Sequence, residues 1–189
     1  MRIVGGKYKG RALTAPPGKD VRPTSDRVRE AIFNILAHSI DWDGFEGSVV
    51  LDVFAGTGAL GLEALSRGAA HGVFIDNDPG ALKCLRGNAA KLGVARDITP
   101  LKLDASRLTP PPRAAQTPLR LVFLDAPYGS GLSDQALLGL HHKGWLAAGA
   151  LAVIELGKDD ELSVPRDFEM VDERTYGAAR VLFLRLKTS

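Results

Sequence analysis

The run Asp125-Ala126-Pro127-Tyr128 carries groups that could act on a planar amine. The Asp125 carboxylate and the Ala126 carbonyl are two hydrogen-bond acceptors, and a turn made rigid by Pro127 would aim both at one point. An exocyclic amine has its lone pair delocalised into its ring, so both N–H groups must be held while the nitrogen becomes a nucleophile. Tyr128 offers a flat face for an unstacked base, a contact worth about 1–3 kcal/mol. The alternative is a plain proline turn with a tyrosine on its rim.

Three glycines with the spacing Gly56-x-Gly58-x-x-Gly61 follow the apolar, β-branched run 49–54 and precede a helical pattern. Glycine allows a sharp turn close to a ligand because it has no Cβ, and the first N–H groups of the helix can face that ligand. The spacing matches the dinucleotide-binding fingerprint, in which an acidic residue about 20 positions later binds a ribose. Asp76 fills that position, so the pattern predicts a nucleoside-bearing cofactor without identifying it. Strand–helix packing alone is the alternative.

Four aspartates lie at or near the ends of predicted strands. Ligands of open α/β sheets bind outside the carboxyl ends of the strands, so the four would surround one pocket. Asp76 suits two ribose hydroxyls and Asp104 suits an adenine amino group, although Asp104 could equally cap the turn that follows it. The four residues are Asp52, Asp76, Asp104 and Asp125.

Alternating strand and helix patterns from residue 49 to residue 155 predict an α/β fold with a doubly wound, mostly parallel sheet. Residues 168–176 and 180–186 are also strand-like, and the short link between them predicts an antiparallel hairpin, because a parallel crossover needs about a dozen residues. Ser25 is a candidate N-cap for the first helix. The other predicted strands are residues 49–54, 73–75, 98–103, 119–124 and 150–155, and the predicted helices are residues 26–39, 58–67, 79–92 and 133–142.

The first 29 residues are basic, with eight Lys or Arg against two Asp, whereas the other 160 residues carry sixteen basic and twenty acidic side chains. A basic segment on a slightly acidic body favours a polyanionic partner over a merely solvated surface. We predict that residues 1–20 form a basic hairpin and a linker, and that residues 21–189 form the main domain. The candidate nucleic-acid contacts are Arg2, Lys7, Tyr8, Lys9, Arg11, Arg22 and Arg27.

The composition predicts a cytoplasmic protein, and we expect a monomer. No apolar run reaches the length of a membrane span, the N-terminus lacks the apolar core of a signal peptide, and there is one cysteine. Cys84 lies in a helical pattern and is expected to be a buried packing thiol. No metal site is predicted, because the Cys and His residues lack ligand spacing and the adjacent His141 and His142 have poor geometry for sharing one ion.

Two of these motifs, residues 52–58 and residues 125–128, resemble those of amino-group methyltransferases that use S-adenosylmethionine. More narrowly, the chain resembles the bacterial 16S rRNA (guanine(966)-N2)-methyltransferase family, RsmD, over nearly its whole length. Residues 2–11, 22–36 and 51–69 carry this resemblance, and the second of these pieces is the most family-specific.

The resemblance implies a Rossmann-like S-adenosylmethionine-dependent methyltransferase fold, with a seven-stranded sheet, an antiparallel C-terminal hairpin and a small N-terminal β-hairpin. It implies methyl transfer to the exocyclic N2 amine of a guanine in 16S rRNA, within a small ribosomal subunit or its assembly intermediate. Transfer would be direct, without a covalent enzyme intermediate.

For the cofactor, the resemblance implies that the glycine turn lines the methionine side, that Asp76 holds the ribose, and that Asn77 and Asp104 meet the adenine. The cofactor set implied in this way is Thr24, Asp52, Phe54, Ala55, Gly56, Gly58, Asp76, Asn77, Asp104 and Ala105.

For the target, the resemblance implies that Asp125 and the Ala126 carbonyl hold guanine N2 while Tyr128 stacks on the base. The family has proline where this chain has Ala126, which removes a rigidifying ring from the turn. The basic hairpin would bind RNA phosphates. The implied catalytic set is Asp125, Ala126, Pro127 and Tyr128, and the residues that would cover the methionine end or the target entrance are Thr24, Asp26 and Arg27.

Three other functions stay open at this point. A nicotinamide-dependent dehydrogenase fits the glycine spacing and Asp76 equally well, but it leaves residues 125–128 unexplained. A non-catalytic RNA-binding assembly factor could use the same fold. A methyltransferase acting on DNA or RNA adenine, or on protein, could use the same acceptor pair for another amino group.

Overall fold

The computed structural model describes residues 1–17 and 24–189 of the chain. Within these residues the chain forms four α-helices and seven β-strands. The helices are α1 (Asp26–His38), α2 (Ala59–Ser66), α3 (Pro79–Leu92) and α4 (Leu132–His142). The strands are β1 (Val49–Val53), β2 (His71–Asp76), β3 (Ile98–Lys102), β4 (Leu119–Leu124), β5 (Leu146–Gly157), β6 (Phe168–Tyr176) and β7 (Ala179–Leu186).

The seven strands form one sheet in the order β3-β2-β1-β4-β5-β7-β6. β1 pairs in parallel with β2 and β4, and β3 and β5 continue the parallel sheet on either side. β7 pairs antiparallel with both β5 and β6. In the short link between β6 and β7, Gly177 has a φ of +58°, a conformation that favours glycine. The predicted mostly parallel sheet with an antiparallel C-terminal hairpin is confirmed.

Both faces of the sheet are buried at its central strands, which explains the near-continuous apolar runs of these strands. Phe74 and Phe123 pack on the face that α1, α2 and α3 cover. Val73 and Val122 pack on the opposite face, where α4 and Trp145 cover the sheet. Because β1, β2 and β4 run in parallel and in register, their carboxyl ends lie side by side at one edge.

The N-terminal segment, residues 1–17, is hydrogen-bonded to α2. A single antiparallel bridge joins Arg2 to Ala12, and the turn between them contains a short 3-10 helix, Gly6–Tyr8. Two backbone N–H groups of the segment donate to the Glu63 carboxylate, at 2.9 and 2.8 Å. Because these N–H groups bond to α2 instead of to the opposite strand, the predicted hairpin consists of only one bridge and its flanking hydrogen bonds.

The largest boundary difference is at β5, which begins at Leu146 rather than at residue 150. The extension pairs Leu146 with Leu119 of β4, and the register then shifts before the next pair. Residues 147–149 are Ala-Ala-Gly, which have little strand preference of their own. The added strand length therefore comes from tertiary pairing.

Candidate active site

The turn between β1 and α2 has backbone angles that explain two of its glycines. Gly56 and Gly58 have φ angles of +55° and +81°, in the region that other residues disfavour. A Cβ on Gly58 would lie 2.3 Å from Leu85 Cδ1, so this glycine lets α3 pack beneath the turn. A Cβ on Gly56 would meet only the Phe54 carbonyl oxygen, at 4.0 Å, and would project into open space. One glycine serves packing, and the other leaves room for a ligand.

Phe54 is also held in an unusual conformation at the end of β1. Its φ of +60° is strained for a bulky residue, at a cost of about 1–3 kcal/mol, and such strain is concentrated at functional sites. The next residue, Ala55, donates its N–H to the Ile75 carbonyl at 3.1 Å. This bond ties the turn to the end of β2.

Asp52 and Gly61 together hold the start of α2. Asp52 Oδ2 accepts a hydrogen bond from Gly61 N at 2.9 Å, and a Cβ on Gly61 would lie 2.3 Å from Phe74 Cε1. Burial raises the pKa of Asp52 well above its usual value, and the nearby carboxylates of Asp125 and Asp76 raise it further. Gly61 therefore serves strand–helix packing, while Asp52 orients the helix that follows the turn.

Asp76 and Asp104 are both fixed by backbone N–H groups. The two oxygens of Asp76 accept from Gly56 N and Asp78 N, each at 2.9 Å. Asp104 is exposed just after β3, and its Oδ1 accepts from the N–H and hydroxyl of Ser106, which lowers its pKa. The capping role foreseen for Asp104 is therefore observed, at a position that still faces the cofactor end of the site.

These groups line one cavity of about 830 Å³ at the carboxyl ends of β1, β2 and β4. Ligand sites usually have volumes of about 300–1,000 Å³. The structure brings every predicted catalytic and cofactor residue to this cavity except Gly58, whose Cα side faces Leu85 and Leu62 instead. Lining residues that no motif indicated include Met1, Pro16, Leu103 and Leu132.

Asp125, which follows β4, is joined to residues from distant parts of the chain. Thr24 Oγ1 lies 2.7 Å from Asp125 Oδ2 and 2.5 Å from Glu155 Oε2. Tyr128 Oη donates to Glu155 Oε1 at 2.7 Å. Removal from solvent raises the pKa of Asp125 to about 8, the negative charge of Glu155 adds to the rise, and the Thr24 hydroxyl opposes it.

The loop that carries these groups is also held by the end of β5. Asp160 Oδ2 accepts from both Gly129 N and Gly157 N at 2.9 Å. A Cβ on Gly157 would lie 3.3 Å from Tyr128 Cγ, so the tyrosine ring packs closely on this strand. These contacts hold the loop that follows Ala126 against the end of β5.

Comparison with known proteins identifies the family. The family described as Conserved hypothetical protein 95 matches residues 1–185. The chain belongs to this family. Ribosomal RNA small subunit methyltransferase D of Escherichia coli K12 is 38% identical over 182 residues, which cover 94% of this chain and 85% of that protein. The protein of the same name from Haemophilus influenzae is 34% identical over 177 residues, covering 94% and 89%.

Solved structures agree with this family assignment. The structure of yhhF from Escherichia coli has a TM-score of 0.80 at 33% identity, covering 100% of this chain and 99% of that one. An RNA methyltransferase from Salinibacter ruber in complex with S-adenosyl-L-homocysteine shares the fold, with a TM-score of 0.66 at 19% identity, covering 88% and 95%. The predicted RsmD-like family, methyltransferase fold, enzyme class and cofactor class are confirmed. This assignment removes the support for a nicotinamide-dependent dehydrogenase.

Within this family fold, Glu155 is the most informative residue that the motifs did not indicate, because it contacts two residues that line the cavity. It is only 5% exposed, and it accepts hydrogen bonds from Thr24 and Tyr128. One signal could have found it: an acidic residue follows the apolar run 150–154, as Asp125 follows another such run. Its role was hidden because Thr24 lies 131 positions away in the chain.

A buried ion pair between Arg29 and Glu63 joins α1 to α2 and to the N-terminal segment. Both side chains are fully buried, with Arg29 Nε 3.7 Å from Glu63 Oε2. Arg29 also donates to the Asp26 carboxylate at 2.8 Å and to the Thr24 carbonyl at 3.3 Å. The pair therefore positions Thr24, and Arg29 cannot contribute to a basic surface although it belongs to the basic N-terminal region.

Asn88 of α3 makes a second buried connection, between the N-terminal segment and the glycine turn. Its Nδ2 donates to the Thr57 carbonyl at 2.9 Å and to the Thr14 carbonyl at 3.0 Å. Its Oδ1 accepts from Thr14 N at 2.8 Å. Asn88 therefore links residues 14 and 57, which no local pattern relates.

The structure describes all of the predicted nucleic-acid contacts except Arg22, which lies outside the described residues. Tyr8 is half-buried, with its N–H donating to Ser66 Oγ at 2.9 Å. Arg2 forms an ion pair with Asp26 at 3.3 Å. The basic members that the structure describes are all exposed: Arg2, Lys7, Lys9, Arg11 and Arg27.

Cys84 is half-buried, whereas the sequence predicts a fully buried thiol. The N-terminal segment covers this part of α3 only in part, and Cys84 Sγ donates to the Thr14 carbonyl at 2.9 Å. Burial raises the pKa of the thiol, which disfavours the reactive thiolate. The expectation of an unreactive cysteine is therefore consistent with its surroundings.

The structure corrects the expected geometry of the adjacent histidines. Ligand atoms of His141, His142 and Asp167 all lie within 4.8 Å of one another. This cluster lies at the end of α4 and the start of β6, and none of its residues lines the cavity.

None of the helices in the described residues is long and apolar enough to cross a bilayer.

Proposed function

We propose that the protein transfers a methyl group from S-adenosylmethionine to the exocyclic N2 amine of a guanine in 16S rRNA. One observation carries the proposal: Asp125 and Ala126 line the same cavity as Gly56 and Asp76. An acceptor pair for an amine and a site for a nucleoside cofactor thus share one space, as direct transfer between two bound molecules requires. The names of the Escherichia coli and Haemophilus influenzae relatives support rRNA of the small subunit as the substrate.

The cavity residues fit S-adenosylmethionine. The Asp76 carboxylate, oriented by Gly56 N, suits the ribose hydroxyls, and the open space at Gly56 suits the methionine portion. Asp104 and Asn77 would hold the adenine. When bound, the cofactor supplies a methyl group activated by its sulfonium, while the protein orients the two reactants.

The amine would be held by the acceptor pair after β4. Asp125 and the Ala126 carbonyl would each accept one N–H of guanine N2, so that the nitrogen lone pair can leave conjugation with the ring. The new N–C bond forms as the S–C bond breaks, and one amine proton is lost to the Asp125 carboxylate or to water. Tyr128 would stack on the base. Ionised Asp125 is the stronger acceptor and can also take up the amine proton.

The exposed basic side chains of the N-terminal segment would bind RNA phosphates. We propose that residues 1–20 are a basic appendage of a methyltransferase domain formed by residues 21–189. The substrate would be a small ribosomal subunit or its assembly intermediate, in the cytoplasm, and the enzyme would act as a monomer. RNA length beyond the target would then increase affinity through contacts with this segment.

The test is methyl transfer from labelled S-adenosylmethionine to small ribosomal subunits, naked 16S rRNA and duplex DNA in parallel. The products are digested to nucleosides, and the labelled nucleoside is identified by mass. Label in N2-methylguanosine supports the proposal, and the preferred substrate shows whether the assembled particle is needed. Label in methyladenosine, or in DNA alone, would replace the proposed target with another amino group. Cofactor binding without any transfer would favour the RNA-binding assembly factor.

A further inference from the structure

Four polar groups form a continuous chain beside the proposed amine site. The Thr24 hydroxyl lies between Asp125 Oδ2, at 2.7 Å, and Glu155 Oε2, at 2.5 Å. Tyr128 Oη donates to the other oxygen of Glu155, at 2.7 Å. Thr24 and Glu155 are 6% and 5% exposed. The centre of this chain is therefore shielded from solvent.

A count of protons shows that the two carboxyl groups cannot both be ionised in this arrangement. A threonine hydroxyl has one proton, which it can donate to either Asp125 or Glu155. The other short contact of Thr24 would then join two acceptors, unless the remaining carboxyl group carries a proton. Since Tyr128 supplies its own proton, one proton on the carboxyl pair satisfies all three contacts.

The surrounding charges also favour one shared proton. Among the described residues, no Lys or Arg side chain forms a hydrogen bond or an ion pair with Asp125 or Glu155. Burial and the charge of Glu155 raise the pKa of Asp125 to about 8, as expected for two carboxyl groups in one site. The other titratable or charged groups next to the chain are Asp52 of β1, whose pKa Asp125 raises, Tyr128 of the loop, which donates to Glu155, and Arg29 of α1, which donates to the Thr24 carbonyl.

We propose that Glu155 is a positioning residue that shares one proton with Asp125 through the Thr24 hydroxyl, and that loss of this proton to solvent makes Asp125 the charged, stronger acceptor that the amine requires. The catalytic consequence rests on the proposed function, whereas the shared proton is a property of the chain alone. A protonated Asp125 is a weaker acceptor than a carboxylate, and it cannot take up the proton that the amine loses. Methyl transfer is therefore fastest from the form in which both carboxyl groups are ionised.

Glu155→Gln is the decisive variant because glutamine can satisfy the same contacts without an added proton. Its amide N–H can donate to Thr24 while Thr24 donates to Asp125, and its amide oxygen can accept from Tyr128. The kcat/KM of the unmodified protein, which reports the free enzyme, is expected to fall tenfold per pH unit below about pH 8. In Glu155→Gln the midpoint of this pH profile is expected to lie at least one pH unit lower. A merely structural role would lower kcat/KM by one factor at every pH and leave the midpoint unchanged, which would overturn the proposal.

Thermal stability gives a readout that needs no substrate. Folded Asp125 keeps its proton up to about pH 8, whereas the unfolded chain loses it near pH 4, about the ordinary value for aspartate. The folded state holds more protons between these values, so this contribution to stability is complete below about pH 4 and is lost as the pH rises to about 8. The fall in Tm between pH 5 and pH 8 should be smaller in Glu155→Gln. Glu169→Gln, at an exposed glutamate of β6, is the matched control and should follow the unmodified protein.

A third measurement covers the case in which Glu155→Gln does not fold. In unmodified protein labelled with ¹³C at aspartate carboxyl carbons, we expect one signal with a midpoint near pH 8 that is missing from Asp125→Asn. A spectrum in which no signal assigned to Asp125 titrates above about pH 6 would overturn the proposal. If no methyl transfer to rRNA is found, the proposed function fails, yet the carboxyl titration and the Tm curves still decide whether the proton is shared.

Discussion

The two ends of the cavity, the proposed cofactor end and the proposed amine end, are built in different ways. At the cofactor end, Gly61 N bonds to Asp52 across nine positions of the chain, and Gly56 N bonds to Asp76 across 20. At the amine end, Thr24 bonds to Asp125 across 101 positions and to Glu155 across 131. The first end is one strand–turn–helix unit and its neighbouring strand, whereas the second exists only once the whole sheet has formed.

The carboxylates at the two ends also differ in their hydrogen-bond partners. At the cofactor end the two oxygens of Asp76 each accept a backbone N–H group. At the amine end Asp125 and Glu155 face one hydroxyl between them, which disfavours two negative charges. The Asp76 carboxylate is thus held in a fixed orientation, while Asp125 has the perturbed ionisation that is common at catalytic groups.

Asp125→Ala should produce the largest effect and should separate the two ends. We expect methyl transfer to fall by about 10³-fold, because the loss of a positioned acceptor typically removes about 10²–10⁴ of rate. S-adenosylmethionine affinity should change less than about threefold, since the cofactor end is left intact. Single-turnover transfer and calorimetric binding measure the two quantities.

The matched control for this variant is Asp159→Ala, at an exposed aspartate beyond β5. It should leave both transfer and binding unchanged. If Asp125→Ala loses cofactor affinity and methyl transfer together, Asp125 is structural and the separation of the two ends is wrong.

Arg29→Leu should weaken the scaffold under the amine end. The substitution removes a buried partner of Glu63 and the hydrogen bond to the Thr24 carbonyl, so we expect a loss of about 3 kcal/mol in the free energy of unfolding. Urea denaturation gives this value. Arg120→Leu, which breaks an exposed ion pair with Asp43, should cost about 0–1 kcal/mol. Equal costs for the two variants would contradict a special role for the buried pair.

Alanine substitutions at two glycines of the same turn should have different main effects, one on stability and the other on cofactor affinity. Gly58→Ala places a Cβ against Leu85 at a positive φ, and we expect it to lower the free energy of unfolding by about 2–3 kcal/mol. Gly56→Ala projects into open space and should cost about 1 kcal/mol, while S-adenosylmethionine affinity falls at least tenfold.

Gly177→Ala provides the reference for these two variants. Its φ of +58° is similar, and no neighbouring atom lies within 4 Å of the added Cβ. It therefore measures the cost of the backbone conformation alone. If Gly58→Ala costs no more than Gly177→Ala, Leu85 does not constrain the turn.

The smallest expected effect concerns the N-terminal basic segment. Lys9→Ala removes one exposed cation of this segment, so rRNA affinity should fall a few-fold, and the slope of log affinity against log salt should decrease by about 0.7–0.9. Lys143→Ala, at an exposed lysine just after α4, is the control. An identical slope for both variants would mean that the segment does not contact RNA phosphates.

The cofactor end could be predicted because its determinants lie within short stretches of chain. A buried strand, glycines at fixed spacing and an acid at the end of the next strand together define position and chemistry. The hairpin of β6 and β7 was predictable for a similar reason, since a short link permits only antiparallel pairing. By contrast, the extension of β5 to Leu146 depends on its pairing with β4, which no local preference encodes.

The sequence by itself determined the parallel sheet, the glycine turn and the placing of Asp76 and Asp125 at strand ends, because periodicity and backbone sterics act over a few residues. Only the tertiary structure decided that Thr24 and Glu155 meet Asp125, that Arg29 is buried rather than exposed, and that Asn88 links the N-terminal segment to the turn. The physical reason is that burial, and hydrogen bonding between separate elements of the chain, depend on how helices pack on the sheet. The ionisation of Asp125 depends on that packing, and therefore no motif could reveal it.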